Sequence, residues 1–346
     1  MKTKVLPTLI GVILTGYMSV AVADVTTFGH IDTSIDSIDQ DGGSDDINMN
    51  CTTCSIGFKG SEELGNGLKA IFKLDFQYDT TTVNKDGSLT DRDQWLGLAG
   101  NFGQVTFGTM STSYKSHGAM IDPIYRTAQQ ARDRGLQSTL HRDAGEEGQG
   151  RADNTVRYDS PSWNGLKVAA HYTLDSDETD GEDDDPYGGG ISYENGPLLA
   201  YADYITSDVG GDDSAWKLGG KYGLGMFSFF AQYEKDDGLI SALGDNQTVA
   251  GTGDGADVWM IGATATLGNT MAMFSYGQGD DGSGGSTASS YDAWELVAAH
   301  NMSKRTMIYA GFSEIDCDDP DNDVCSRVGS SGGEDDKFSL GMKHRF

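Results

Sequence analysis

Lys337-Phe338-Ser339-Leu340-Gly341-Met342-Lys343-His344-Arg345-Phe346 ends the chain in strict alternation. Phe338, Leu340, Met342, His344 and Phe346 share one side; Lys337, Ser339, Gly341, Lys343 and Arg345 share the other. A period of two with one greasy and one wet face is a strand between unlike surroundings. The same split recurs upstream. In 68–78, Leu68, Ala70, Phe72, Leu74, Phe76 and Tyr78 oppose Lys69, Lys73, Asp75 and Gln77. In 25–38, Thr26, His30, Asp32, Ser34 and Asp36 oppose Val25, Ile31 and Ile35. A soluble sandwich also alternates. What separates this chain is the number of successive strands that repeat the pattern, each with charge confined to one face.

Strands are predicted at 55–61, 92–99, 104–109, 154–160, 166–174, 190–193, 198–205, 215–222, 227–233, 257–267, 271–276, 291–300 and 306–312. With the stretches above they make about 16, an even number as bacterial barrels require. Short connections rich in Gly, Asn and Pro alternate with long acidic ones. The long ones are 39–53, 79–90, 110–152, 175–188, 206–213, 234–256, 277–290 and 313–336. Short turns at one end and long loops at the other define an outer-membrane barrel. A sheet left open in lipid would strand its edge hydrogen-bonding groups. The all-β reading is therefore a closed transmembrane antiparallel β-barrel, with 338–346 paired to 25–38.

Lys2 and Lys4, the mostly apolar stretch 6–22 and Ala21-Val22-Ala23 read as an export signal cut after Ala23. That assigns 1–23 to a signal peptide and 24–346 to one barrel domain. The net charge of the full chain is −29. The signal carries two lysines and no acid, so the mature chain is near −31. Such acidity excludes general nucleic-acid binding, which needs basic surface. The 48 glycines could suggest disorder, but 13 Phe, 15 Tyr and 5 Trp at strand-like spacing argue for a folded sheet.

Cys51, Cys54, Cys317 and Cys325 form two local pairs, and an exported chain meets oxidising conditions. Structural disulfides are expected, with local pairing the simplest option. A C-x-x-C can also be a redox motif or half of a zinc site, but no thioredoxin-like βαβ context accompanies it.

Specific blocks carry a family resemblance. Phe28-Gly29-His30-Ile31-Asp32, the run from Gly57-Phe58-Lys59-Gly60 through Glu62-Glu63-Leu64-Gly65-Asn66-Gly67 to Ala70, Phe102-Gly103-Gln104-Val105-Thr106-Phe107-Gly108 and Arg157-Tyr158-Asp159-Ser160-Pro161 resemble the Gram-negative trimeric porins. The resemblance covers the mature chain. It implies a homotrimer of water-filled barrels in the outer membrane, in contact with lipid and lipopolysaccharide. It implies passage of ions and small hydrophilic solutes, not catalysis. The third long loop, 110–152 here, would fold inward and narrow the pore. Phe346 matches the terminal aromatic read by the barrel-assembly machinery.

A channel needs a hydrated lumen, a constriction and charges that sort what passes. Lys73, Arg92 and Arg157 point inward by strand parity, with Phe72/Leu74, Trp95 and Val156/Tyr158 on opposite faces. Arg92 and Arg157 also match the family's basic wall positions. On the loop, Asp122 is the leading acidic candidate, followed by Asp143, Glu146 and Glu147. Arg126, Arg132, Arg134, Arg142 and Arg151 share the segment and are expected to pair with its acids and hold it against the wall. Ser55 stands where the family often has arginine. The thinner basic ladder and the acidic loops predict cation preference. The acidic run 175–181 misses the EF-hand spacing, its Gly181 one place late, while 316–323, bracketed by Cys317 and Cys325, suggests loosely held calcium or magnesium; no cofactor is otherwise implied. Rival functions are a substrate-selective porin, for which Tyr201 and Phe230 are candidate inward rings, and an adhesin or structural barrel working through its loops. An outer-membrane enzyme is a third class, but the six histidines form no H-E-x-x-H motif.

Overall fold

A computed structural model describes residues 24–40, 46–82, 89–141, 150–174, 185–207, 213–236, 257–280, 290–317 and 334–346. The stretch 1–23, expected to be a signal peptide, lies outside them, as do Asp143, Glu146, Glu147 and Cys325. Almost all of it is antiparallel sheet. β1 (Asp24–Gln40) is followed by β2 (Asp46–Cys51), β3 (Ser55–Gly65), β4 (Leu68–Gln77), β5 (Thr90–Gly100) and β6 (Gly103–Ser111). Then come α1 (Ser113–Ile121), β7 (Arg151–Asp159), β8 (Leu166–Thr173), β9 (Tyr187–Asn195) and β10 (Leu198–Ser207). β11 (Asp213–Leu224), β12 (Phe227–Asp236), β13 (Asp257–Leu267), β14 (Thr270–Asp280), β15 (Ser290–Asn301), β16 (Thr306–Cys317) and β17 (Glu334–Arg345) complete the order.

Each strand pairs with the next, and β17 returns to β1 with His30 opposite Arg345 and Ser37 opposite Phe338. The sheet is closed, as lipid demands of any spanning sheet. β2 and β3 both pair with β1, in successive registers. They are two halves of one stave, so seventeen segments make a barrel of 16 staves. This corrects one sequence expectation: 39–53 is not all loop, because β2 occupies 46–51. Its polar Asp46, Asn48 and Asn50 hid it. The break between the halves is bridged by the Cys51–Cys54 disulfide, Cα atoms 5.7 Å apart. Cys317 is also disulfide-bonded.

The alternation works as a sorting rule. Leu96, Leu218, Phe229, Ile261, Phe274, Leu296 and Leu340 are all at least half exposed on the outer surface. Asp32, Asp75, Arg92, Lys217, Glu234 and Glu295 are buried toward the bore. Short hairpins hold the geometry at one end. Gly65, Asn66 and Gly67 all take positive φ, a conformation that glycine and asparagine adopt at least cost. β3 runs on to Gly65, so that turn is tighter than the expected 62–67.

The connection after β6 folds into the bore. Thr112 caps α1 by accepting from the Lys115 N–H. Two 3-10 turns follow, Ala131–Asp133 and Thr139–His141. Tyr114, Ile121, Ile124, Leu136 and Leu140 of this loop form one buried cluster with Leu199, Tyr201, Ile205, Phe230, Met260, Tyr291 and Val297 of the wall. Part of the bore is therefore a packed hydrophobic core.

Candidate functional site

The inward loop is moored by polar contacts beneath its apolar face. Tyr114 and Ser138 hydroxyls donate to Glu234 at 2.9 and 2.5 Å, and the Ser138 N–H donates at 3.1 Å. Lys217 Nζ donates to the Tyr114 carbonyl and to His141 Nε2, the latter at 2.9 Å. Burial and Lys217 hold His141 well below the ordinary imidazole range, which keeps it neutral and able to accept. His117 Nδ1 lies 2.9 Å from Asp203. Farther along the loop, Tyr309 donates to Asp32 and accepts from the Ala128 N–H. Arg134 pairs with Asp335 at 2.7 Å, so this arginine does tie loop to wall. Arg132 instead donates to the His141 carbonyl within the loop at 2.6 Å.

The opposite wall, built by β4 to β7, carries charge rather than grease. Lys73 Nζ sits 2.6 Å from Asp93 and 3.9 Å from Asp75. Arg92 lies 3.3 Å from Asp75 and donates to Gln77 at 2.6 Å. Arg151 meets Asp93 at 3.0 Å. Arg157 pairs with Asp159 at 2.6 Å and donates to the Ser111 carbonyl. Lys73, Arg92 and Arg157 thus face the bore. Arg126 of the loop reaches this wall, 3.9 Å from Asp75 and 3.3 Å from His30 Nδ1. It is the loop charge that closes on the wall. Arg126 was among the arginines expected to hold the loop to the wall; the strands it meets depend on a positive φ of 63° at this residue.

Two expectations need correction. Trp95 was placed on the lipid face, opposite Arg92. In fact both side chains point inward. A bulge between Leu74 and Phe76 sets Arg92 and Asp93 together against Asp75 and reverses the parity beyond them. Trp95 consequently shares a wall recess with Lys73, Asp93 and Arg157. Asp122 is not a bare constriction charge. Its carboxylate accepts from the Ile124 and Ala131 N–H groups, both at 3.0 Å, and is largely buried. Burial pushes its carboxyl up to about 6, against the pull of those two donors. It braces the loop from its C-cap position.

Tyr201 and Phe230 do point inward, but both lie beneath the loop in the apolar cluster. Ser55 is buried, its hydroxyl 3.5 Å from His30 Nδ1. Phe346 closes the seam between first and last strands: its N–H donates to the Gly29 carbonyl at 3.1 Å, and its own carbonyl accepts from Gly29 at 3.2 Å. A Cβ on Gly29 would meet the Phe346 ring at 2.6 Å, so glycine there makes room for the terminal aromatic. Of the acidic runs, 175–180 is outside the described residues, as is most of 316–323. At the rim, carboxylates of Glu314, Glu334 and Asp336 come within 4.8 Å of one another.

The family model described as Gram-negative porin matches residues 12–320. Outer membrane porin protein 32 of Delftia acidovorans is 28% identical over 322 residues, covering 85% of this chain and 84% of that protein. The solved anion-selective porin from Comamonas acidovorans superposes with a TM-score of 0.75 at 23% identity, covering 94% of this chain and 100% of that one. The trimer form of OmpT from Vibrio cholerae superposes with a TM-score of 0.68 at 15% identity, covering 94% and 99%. A closed barrel, an inward loop and a match across most of the chain agree: this chain belongs to the Gram-negative porins, and it is a passive channel of the outer membrane rather than an enzyme.

Proposed function

We propose that small hydrophilic solutes and ions diffuse through the wet part of the bore and are sorted where Arg126 faces the β4–β7 wall. One observation carries this: among the described residues, Lys73, Arg92, Arg126, Arg151 and Arg157 gather there around Asp75, Asp93 and Asp159. Charges of one sign in excess across a narrow gap set a field that favours the opposite ion. The excess is positive, so this narrow zone favours anions. The cation preference expected from the acidic loops finds no support in the described bore. Salt screens charge on those loops over about 8–10 Å. The anion-selective character of the Comamonas acidovorans protein is consistent with a basic wall on this fold. The test is a reversal potential in a KCl gradient across a planar bilayer. An anion-selective sign is expected; clear cation selectivity overturns the reading.

Homotrimer assembly follows from the family resemblance, supported by the trimeric OmpT neighbour. Unheated gel electrophoresis that dissociates to monomer on boiling would show it. In the same reading, the outer face contacts lipid and lipopolysaccharide, Phe346 is read by the barrel-assembly machinery, and 1–23 is removed on export. Acidic loops hold calcium or magnesium loosely, which calorimetry would detect. Asp143, Glu146 and Glu147, outside the described residues, add negative charge to the same loop segment.

A further inference from the structure

The bulge in β5 that turns Trp95 inward also creates a place to bind. Between the root of the inward loop and strands β4 to β7 lies a recess of 190 Å3, lined by Trp95, Lys73, Asp93, Gln104, Arg157 and Asp159 among others. Trp95 is half-buried and is the one indole in the lining, so part of its ring is available from the bore.

The charges of this recess are spent on one another. Lys73 Nζ donates to Asp93 at 2.6 Å. Arg157 donates from Nε and Nη2 to Asp159, and from Nη1 to the Ser111 carbonyl. Gln104 Nε2 donates to Asp159 at 3.1 Å. Two cations and two carboxylates leave the lining without net charge. An anion entering here must break an existing ion pair to gain one, and its desolvation is then poorly repaid. A neutral solute meets no such cost. Three N–H donors, Arg157 Nε and Nη2 and Gln104 Nε2, reach the two Asp159 oxygens, which offer about four lone-pair sites, so one site is left for an O–H donor, and Asp159 is the most accessible of the four charged groups at 26%. The indole offers an apolar plane on which a ring of C–H groups can lie.

Hydroxyls to donate, a flat C–H face and no charge together describe a sugar-like ring. The recess is smaller than the roughly 300 Å3 at which drug-sized pockets begin, so it suits one ring and not a chain. We propose that this recess is a seat for a single neutral hydroxylated ring of monosaccharide size, stacked on Trp95 and hydrogen-bonded to Asp159. The proposal rests on the porin reading. It gives the channel a weak solute preference independent of its ion preference.

The probe is glucose, added at millimolar concentration to the full-length trimer conducting KCl in a planar bilayer. Glucose is expected to raise current noise with a saturable dose dependence. Trp95→Ala is expected to weaken that dependence about tenfold, and Trp95→Phe to restore most of it. The KCl current in the same trace reports that each variant is folded and open. Equal glucose sensitivity in wild type and Trp95→Ala overturns the seat. So does a Trp95-dependent response to acetate or sulfate stronger than that to glucose. Absence of any glucose response while KCl steps persist removes the seat and leaves the porin reading standing; absence of KCl steps removes the porin reading itself.

Discussion

The inner surface of this barrel has two halves built on one alternation. Along β10 to β15 the inward positions include Leu199, Tyr201, Phe230, Met260 and Val297, which the loop buries. Along β4 to β7 they include Lys73, Asp75, Arg92, Asp93 and Arg157, which line the bore. A period of two tells inside from outside but does not tell wet from dry. The inward loop decides that: where it packs, the bore becomes a core, and the polar groups beneath it must find partners in the loop.

Four substitutions break or sharpen this contrast. Glu234→Ala should have the largest effect. It removes the acceptor for Tyr114 and Ser138 and leaves Lys217 buried with less opposing charge. Breaking a buried pair from one side costs about 3–5 kcal/mol. Larger and noisier single-channel steps are expected as the loop loosens, with a lower temperature of trimer dissociation. An unchanged step size would show that the apolar contacts alone hold the loop.

Leu136→Ala attacks the same dry half through packing. Leu136 is fully buried, so a cost of about 2–5 kcal/mol is expected in thermal denaturation of the refolded protein. Arg157→Ala attacks the wet half. Arg157 is only partly buried, so stability should barely change while the reversal potential moves toward cations. A stability loss like that of Leu136→Ala would erase the distinction between the halves.

The smallest effect belongs to Asp122. Its carboxyl, pushed up to about 6, is charged at pH 7 and largely neutral at pH 5. Acidification over that range therefore removes a negative charge beside the bore and should nudge selectivity further toward anions. Asp122→Asn should flatten that part of the pH dependence, read as the difference in reversal potential between the two proteins.

What could be read in the sequence follows from the same physics. The staves and their closure were legible because lipid on one face and polar or packed groups on the other impose a period of two. β2 was not, since Asp46, Asn48 and Asn50 beside Gly42-Gly43 look like a loop. Arg92 was correctly placed inward, but from a wrong partner: counting parity to Trp95 fails across a bulge, which adds a residue without marking it in the composition. The role of Asp122 as a brace was also hidden, and so was which strands the wall-directed Arg126 would meet. Both depend on a non-repetitive backbone, where no period exists to read. The six histidines gave no motif, yet His117 and His141 moor the loop through partners 86 and 76 residues away.

The bonds between Phe346 and Gly29 join the far side of β17 to β1 across the seam of the barrel. β17 is synthesised after the sixteen strand segments before it, so every earlier intermediate carries β1 with one unsatisfied edge. Such an edge is a template for stray pairing with other chains. Export therefore has to deliver β1 and β17 together, with both margins shielded until they meet. Loss of even the last stave would leave a ribbon prone to clump rather than a smaller tube.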